Sequence, residues 1–333
     1  MAVCCLDEAG AWGSALSDTG INVRVLKRPP GFHPLLGHVI ARTAEAHRAN
    51  VIHCHQYSPF VYSSLARVWR PSLKIVFTEH GRLSDAPPSP KRKLANRVFA
   101  HLPHRVFAVS ENLKQHIVAE GFPADRVGVI YNGIDIGPVP GPDDRRQVRS
   151  ALGLSDQAFV IATVARLDPV KDLDVLVRAV ASLTRQRPAI LLVVGDGPER
   201  RHLEEFASSL SDGGCIRFLG HRDDARAVLA GCDVFANSSI SEGISLTILE
   251  AMAAGLPVVA TRVGGTPEIL DDRCGRLVPA RDSERLASAL LELASQPLLR
   301  QELGRAGRDR VERQFTLDRM IREYKDVYFE AVG

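Results

Sequence analysis

The sequence predicts two consecutive α/β domains, each built on a parallel sheet, and three observations carry that expectation. Short apolar segments of strand length alternate with amphipathic segments of helical period along nearly the whole chain. Midway the alternation is broken by Gly137-Pro138-Val139-Pro140-Gly141-Pro142, which can continue neither period, and it then restarts. A chain of 333 residues is also long enough for two domains of ordinary size. The expected division is a first domain at residues 1–136, a linker at 137–144, a second domain at 145–314 and a closing helix at 315–333.

In the first half, strands are expected at residues 23–26, 51–53, 74–78, 105–109 and 127–131, with helices at 35–46, 57–68 and 111–120. Gly121 closes the last of these helices. In the second half, strands are expected at 159–164, 190–194, 216–219, 234–236 and 258–261. Leu173, Leu176, Val177, Val180 and Leu183 form a helical apolar stripe between the first two. From Ser283 onward the chain reads as helix, interrupted at Gln296-Pro297, with Thr316 capping a final helix that carries Ile321, Tyr324 and Tyr328 on one face.

Composition excludes several function classes. The net charge of +3 demands no nucleic acid as partner, and apolar runs such as residues 189–194 are far too short to cross a bilayer. The first residues lack the basic start of a secretory signal, and Asp7-Glu8 interrupts their apolar run. The six cysteines are scattered with no C-x-x-C pair, which reads as a reduced, cytoplasmic protein. His53, His55 and His80 invite a zinc reading because H-x-H puts two imidazoles on one face of a strand. No fourth ligand is evident, so no metal is expected.

The most informative segment is Glu242-Gly243-Ile244-Ser245-Leu246-Thr247-Ile248-Leu249-Glu250. Ser245 is placed to cap a helix carrying Leu246, Leu249, Met252 and Ala253 at helical spacing, and Gly255 and Pro257 stop it. Glu242 then precedes the helix, Glu250 sits more than a turn inside it, and the free N–H groups between them suit a phosphate. Two carboxylates flanking an anion site can accept hydrogen bonds from the hydroxyls of a phosphorylated sugar; the bland alternative is an ordinary acidic helix. A buried strand, Pro257-Val258-Val259-Ala260-Thr261, and a turn, Gly264-Gly265-Thr266-Pro267-Glu268, follow directly.

The stretch from Glu242 to Glu268 resembles the C-terminal half of retaining, nucleotide-sugar-dependent glycosyltransferases of family 4. The resemblance implies the GT-B fold: two Rossmann-like α/β domains whose parallel sheets face each other across a cleft, with a C-terminal helix crossing back to the N-domain. It also implies transfer of a sugar from a nucleotide diphosphate sugar to a hydroxyl acceptor, with no metal and no separate cofactor. Arg166 and Lys171, at the end of an expected strand, match the cations that clamp the donor pyrophosphate. Glu242 would orient donor hydroxyls, Gly243, Ile244 and Ser245 would offer backbone donors, and Glu250 would hold the ribose. The turn at Gly195 borders the nucleotide in the family, and Arg222 falls where the base is held. In Thr78-Glu79-His80-Gly81, His80 matches the active-site histidine, while His53 and His55 resemble an acceptor-side strand end.

Three further readings stand beside the resemblance. Asp172-Leu173-Asp174 is read as a helix start and not as a metal motif. Lys91-Arg92-Lys93 ahead of Leu94, Val98 and Leu102 suggests peripheral contact with an anionic membrane, against the bland reading of a solvated face. Residues 2–6 read like the family's second strand, so roughly one βαβ unit of the family pattern, about 30 residues, is not seen ahead of them. Either translation starts upstream of Met1, the preferred reading, or this is a truncated homologue that binds a nucleotide sugar without turnover. A sugar-nucleotide epimerase is the remaining alternative.

Overall fold

The computed structural model describes residues 1–81, 90–102, 104–210 and 214–333. Ser89 and the side chains of Lys91 and Arg92, which carry most of the expected membrane-facing run, lie outside the described residues. The chain divides into two units: residues 1–130 with 322–333, and residues 131–321.

The first unit contains β1 (Ala2–Cys5), α1 (Gly10–Asp18), β2 (Asn22–Val25), α2 (Leu36–Ala46), β3 (Val51–His55), α3 (Tyr57–Ala66), β4 (Lys74–Glu79), α4 (Pro90–Phe99), β5 (Arg105–Ala108), α5 (Glu111–Ala119) and β6 (Val127–Val129). All pairings are parallel, in a two-stranded β1-β2 sheet and a four-stranded sheet of order β3-β4-β5-β6. Alternating strands and helices force that arrangement, because a parallel return needs a crossover. The register sets His53 opposite Val76 and His55 opposite Thr78, so the C-terminal ends of β3 and β4 lie side by side. Ile75, Val76 and Phe77 are fully buried, and the Phe77 ring stacks on Phe60 at 4.6 Å.

The second unit contains α6 (Pro142–Ala151), β7 (Phe159–Val164), α7 (Leu173–Thr184), β8 (Ala189–Val194), α8 (Arg200–Leu210), β9 (Ile216–Gly220), α9 (Ala225–Leu229), β10 (Val234–Asn237), α10 (Leu246–Ala253), β11 (Val258–Thr261), α11 (Thr266–Ile269), β12 (Gly275–Val278), α12 (Ser283–Ser295), α13 (Pro297–Gln314) and α14 (Leu317–Val332). From Arg322 onward α14 belongs to the first unit. The six strands are all parallel in the order β12-β11-β10-β7-β8-β9. The expected stripe on α7 packs as anticipated, with Leu173, Leu176, Val177, Val180 and Leu183 all buried against the sheet. Among the described residues no helix is long and apolar enough to cross a membrane.

Two expectations shift on local grounds. The stretch expected as linker at 137–144 already contains the start of α6, because Pro142 takes the first helical position and the Asp144 carboxylate accepts from Gly141 N–H at 2.7 Å. Ser245 does occupy the N-cap of α10, but its hydroxyl accepts no helix N–H; it pairs instead with Thr247 Oγ1 at 3.2 Å.

Candidate functional site

Strand order fixes where to look. From β7 the chain winds outward through β8 and β9, then returns to the other side of β7 and continues through β10, β11 and β12. The winding therefore reverses between β7 and β10, and in such sheets ligands bind beyond the strand carboxyl ends at that point. Arg166 and Lys171 leave the end of β7, while Ser238, Ser239 and Glu242 leave the end of β10. The two loops are stitched together: Ser238 Oγ donates to Lys171 O at 2.8 Å and Ile240 N–H to Val170 O at 2.9 Å.

Glu242 is held by three donors that all converge on one oxygen. Its Oε1 accepts from Lys171 Nζ at 2.7 Å, Ser239 Oγ at 2.6 Å and Asn237 Nδ2 at 3.3 Å. Asn237 Oδ1 accepts from Ser239 N–H at 3.2 Å, which orients the amide with its nitrogen toward the carboxylate. Glu242 Oε2 has no partner among the described residues. The backbone is pinned as well, since Glu242 O accepts from Gly265 N–H at 3.2 Å and Gly264 (φ +51°) passes so close that a Cβ there would lie 1.8 Å from that oxygen. Lys171 thus spends its charge on Glu242 in this structure, a pairing that its spacing from Arg166 did not suggest.

Gly243, Ile244 and Ser245 lead from Glu242 into α10, whose first-turn amides receive no side-chain cap. They are consequently available to an anion. Arg166 is 73% exposed and its Nε lies 3.2 Å from Asp168 Oδ2, so this cation stands in solvent at the strand end. Its loop is tied to the Gly195 turn: Ala165 N–H donates to Val194 O and Leu167 N–H to Asp196 O, and Gly195 (φ +131°) leaves only 1.9 Å between a would-be Cβ and Ala165 O.

Glu250 faces a cavity of about 350 Å3 lined also by Asp135, Ile136, Gly137, Pro138, Pro140, Arg226, Ala227 and Ala254. Burial raises the Glu250 pKa and the nearby Arg226 opposes the rise. Arg222, expected near a base, is engaged by both oxygens of Asp224 at 2.7 and 2.6 Å. Asp174 of the D-x-D sequence pairs with His202 at 3.0 Å. Among the described residues, no group of three or more His, Cys, Asp or Glu is arranged to hold a metal ion.

In the first unit the three expected histidines do meet. His55 Nδ1 and His80 Nε2 are hydrogen-bonded at 2.8 Å, and the His53 ring lies 4.1 Å from that of His55. His53 also bonds Tyr328 OH at 2.5 Å and Thr78 Oγ1 at 2.8 Å, and Thr78 in turn meets Tyr324 OH at 3.1 Å. Burial, reinforced by the neighbouring imidazoles, pushes His53 down to about 3 and His80 to about 4, and burial also lowers the exposed-edged His55. All three are therefore neutral near pH 7.

Two parallel-sheet units of Rossmann type make up the GT-B class of fold, and here one of them carries a held carboxylate and a bare helix start at its switch point. Residues 2–137 match the family described as Glycosyltransferase Family 4, and residues 158–296 match Glycosyl transferases group 1. The chain belongs to this family of glycosyltransferases. It is 28% identical over 312 residues to the N-acetyl-alpha-D-glucosaminyl L-malate synthase of Bacillus anthracis, covering 92% of this chain and 81% of that protein. It is 36% identical over 222 residues to a D-inositol 3-phosphate glycosyltransferase of Saccharomonospora viridis, covering 63% of this chain but 51% of that protein. The match thus spans about half the length of the latter relative. Among solved structures, HepE of Anabaena in complex with UDP superposes with a TM-score of 0.88 at 23% identity, covering 99% of this chain and 100% of that one. Its UDP-glucose complex gives 0.83 at 25% identity, covering 96% and 89%.

Proposed function

We propose that the protein transfers a sugar from a nucleotide diphosphate sugar to a hydroxyl acceptor with retention of configuration and without a metal ion. The observation that carries this reading is the Glu242 carboxylate, held through one oxygen and open at the other, directly before the uncapped start of α10. A phosphate at the α10 amides would bring the attached sugar beside the open oxygen. Glu242 then orients the donor hydroxyls and, as an anion, favours the positive charge that grows at the anomeric carbon. Bond cleavage leaves negative charge on the diphosphate, which the α10 amides and Arg166 stabilise. In the front-face course implied by the family resemblance, the leaving phosphate takes the acceptor's proton.

The cavity before Glu250 suits the ribose, whose hydroxyls can donate to this carboxylate, and Gly195 and Arg222 border the nucleotide. Resemblance assigns His80 to the donor sugar and His53 and His55 to the acceptor side. On α4, Lys93 is exposed and Leu94 and Val98 are 65% and 64% exposed, which supports peripheral contact with an anionic membrane carrying the acceptor.

The test is a panel of UDP-, GDP- and ADP-hexoses with and without EDTA, followed by turnover and by calorimetry of the free nucleoside diphosphates. Metal-independent release of a nucleoside diphosphate, with an α-linked product from an α-linked donor, is the expected result. Binding without turnover would make the protein a non-catalytic homologue. Activity abolished by EDTA and restored by Mg2+ would overturn the metal-free reading, and no binding at all would overturn the whole.

A further inference from the structure

Glu242 cannot place itself. It stands on a loop, and a glutamate side chain has three rotatable bonds, so the direction of its open oxygen depends on what grips the other one. Of the three donors, Lys171 ends a flexible stem and Asn237 is the longest contact at 3.3 Å. Ser239 differs. It is fully buried, its Oγ lies 2.6 Å from Glu242 Oε1, and that length is typical of a hydroxyl donating to a carboxylate.

Its backbone is fixed on both sides. Ser239 N–H donates to Asn237 Oδ1 at 3.2 Å, and Ser239 O accepts from Thr261 Oγ1, on β11, at 2.5 Å. The hydroxyl is therefore presented from the rigid end of the sheet, and it has a single rotatable bond. Lys171, by contrast, can leave Glu242 when a diphosphate offers more negative charge nearby, and the carboxylate would then rely on Ser239.

We propose that Ser239 is a positioning residue for the transfer reaction, acting through Glu242 by fixing which carboxylate oxygen faces the donor sugar. This deepens the functional reading above and rests on it for its kinetic consequence, though not for its geometry. Ser239→Ala removes the hydroxyl and leaves every backbone contact in place. With the hexose donor that the wild type turns over, kcat should fall tenfold or more while the Kd for the free nucleoside diphosphate changes less than twofold, because the proposed reading sets the sugar at Glu242 and the nucleotide at Glu250.

A merely structural serine would weaken both. The decisive comparison is a double-mutant cycle: once Glu242→Ala has removed the carboxylate, adding Ser239→Ala should change the residual rate by less than twofold, whereas independent losses would multiply. A crystal structure of Ser239→Ala supplies a readout without turnover, and the Glu242 carboxylate is expected rotated or spread over two positions. A carboxylate unmoved in that structure, or multiplicative losses in the cycle, would overturn the proposal. A wild type that turns over no donor would sink the functional reading alone, and the crystal structure would still decide whether Ser239 sets Glu242.

Discussion

Gly264→Ala should damage the site without removing any group assigned to the donor. A Cβ at this position would lie 1.8 Å from the carbonyl oxygen of Glu242, against a closest real approach of 3.0 Å, so Glu242 must retreat by roughly 1.2 Å or the turn must open. Either movement breaks the Gly265 N–H to Glu242 O hydrogen bond and shifts the carboxylate by a comparable distance. A displacement of about 1 Å at a reacting group costs on the order of 100-fold in rate, or about 2.7 kcal/mol.

The substitution also forces alanine to a positive φ, and that effect has to be subtracted. Gly153 provides the control, with φ +58° against +51° at Gly264 and nothing within 4 Å of its would-be Cβ. Gly153→Ala should cost the left-handed backbone penalty of about 1–2 kcal/mol, or roughly 2–8 °C in Tm at ~2–4 °C per kcal/mol, and leave kcat/KM within about twofold. Gly264→Ala should lose that stability plus a further ~1–3 kcal/mol of overpacking, and about 100-fold in kcat/KM. The assay is donor turnover beside thermal unfolding for both variants. Near-normal turnover in Gly264→Ala, or equal loss in both, would refute the dependence of the site on this close approach.

The remaining predictions concern charge. Glu242→Gln should spare nucleoside diphosphate affinity by calorimetry yet lower kcat about 100-fold or more, while Glu250→Gln should raise the Kd and leave kcat less affected; the reverse order would exchange their roles. Arg166→Ala should lower kcat/KM by about 2 kcal/mol, the lower end for a group aimed at developing charge because the side chain is 73% exposed before the donor arrives; unchanged kinetics would return it to the surface charges. His53 is held near 3 when folded, below the ordinary histidine value of 6.5, so the unfolded chain binds more protons as pH falls through this window. Stability should consequently drop on going from pH 6.5 to 5, by at most ~2 kcal/mol from His53 alone at about 1.36 kcal/mol per unit. Urea unfolding should show a flatter pH dependence in His53→Gln, and an identical slope would mean that His53 is not buried neutral.

Period and punctuation made most of the sheet legible. Buried parallel strands are nearly continuous apolar runs, so β7, β8 and β11 stand out, and Leu173, Leu176, Val177, Val180 and Leu183 mark α7 at once. What escaped was β12, since Gly275-Arg276-Leu277-Val278 is short and interrupted by an arginine, and it becomes a strand only through its register with β11. The amphipathic α8 escaped too: it buries little besides Leu203 and Ala207. Within the site, spacing placed Glu242 ahead of a helix and Glu250 inside it, but it could not show which atoms they use. Lys171 lies 71 positions from Glu242 and meets it only because strand order sets the ends of β7 and β10 side by side. Ser239 left one signal, a run of small polar residues, Asn237-Ser238-Ser239, closing an otherwise apolar strand.

That run has a physical logic. Beyond its last residue a buried parallel strand leaves polar backbone with no neighbouring strand to satisfy it, and short polar side chains can bond that backbone locally. Asn237 and Ser239 do so through Asn237 Oδ1 and Ser239 N–H, and each still has a donor to spare for Glu242. The residues that end the strand are thus the same ones that fix the carboxylate. On its far side, Gly264 and Gly265 let the next loop press against the carbonyl of Glu242. A loop glutamate is thereby held from the carbonyl and from one carboxylate oxygen by the ends of the sheet, which leaves Glu242 Oε2, without a partner among the described residues, to meet a ligand.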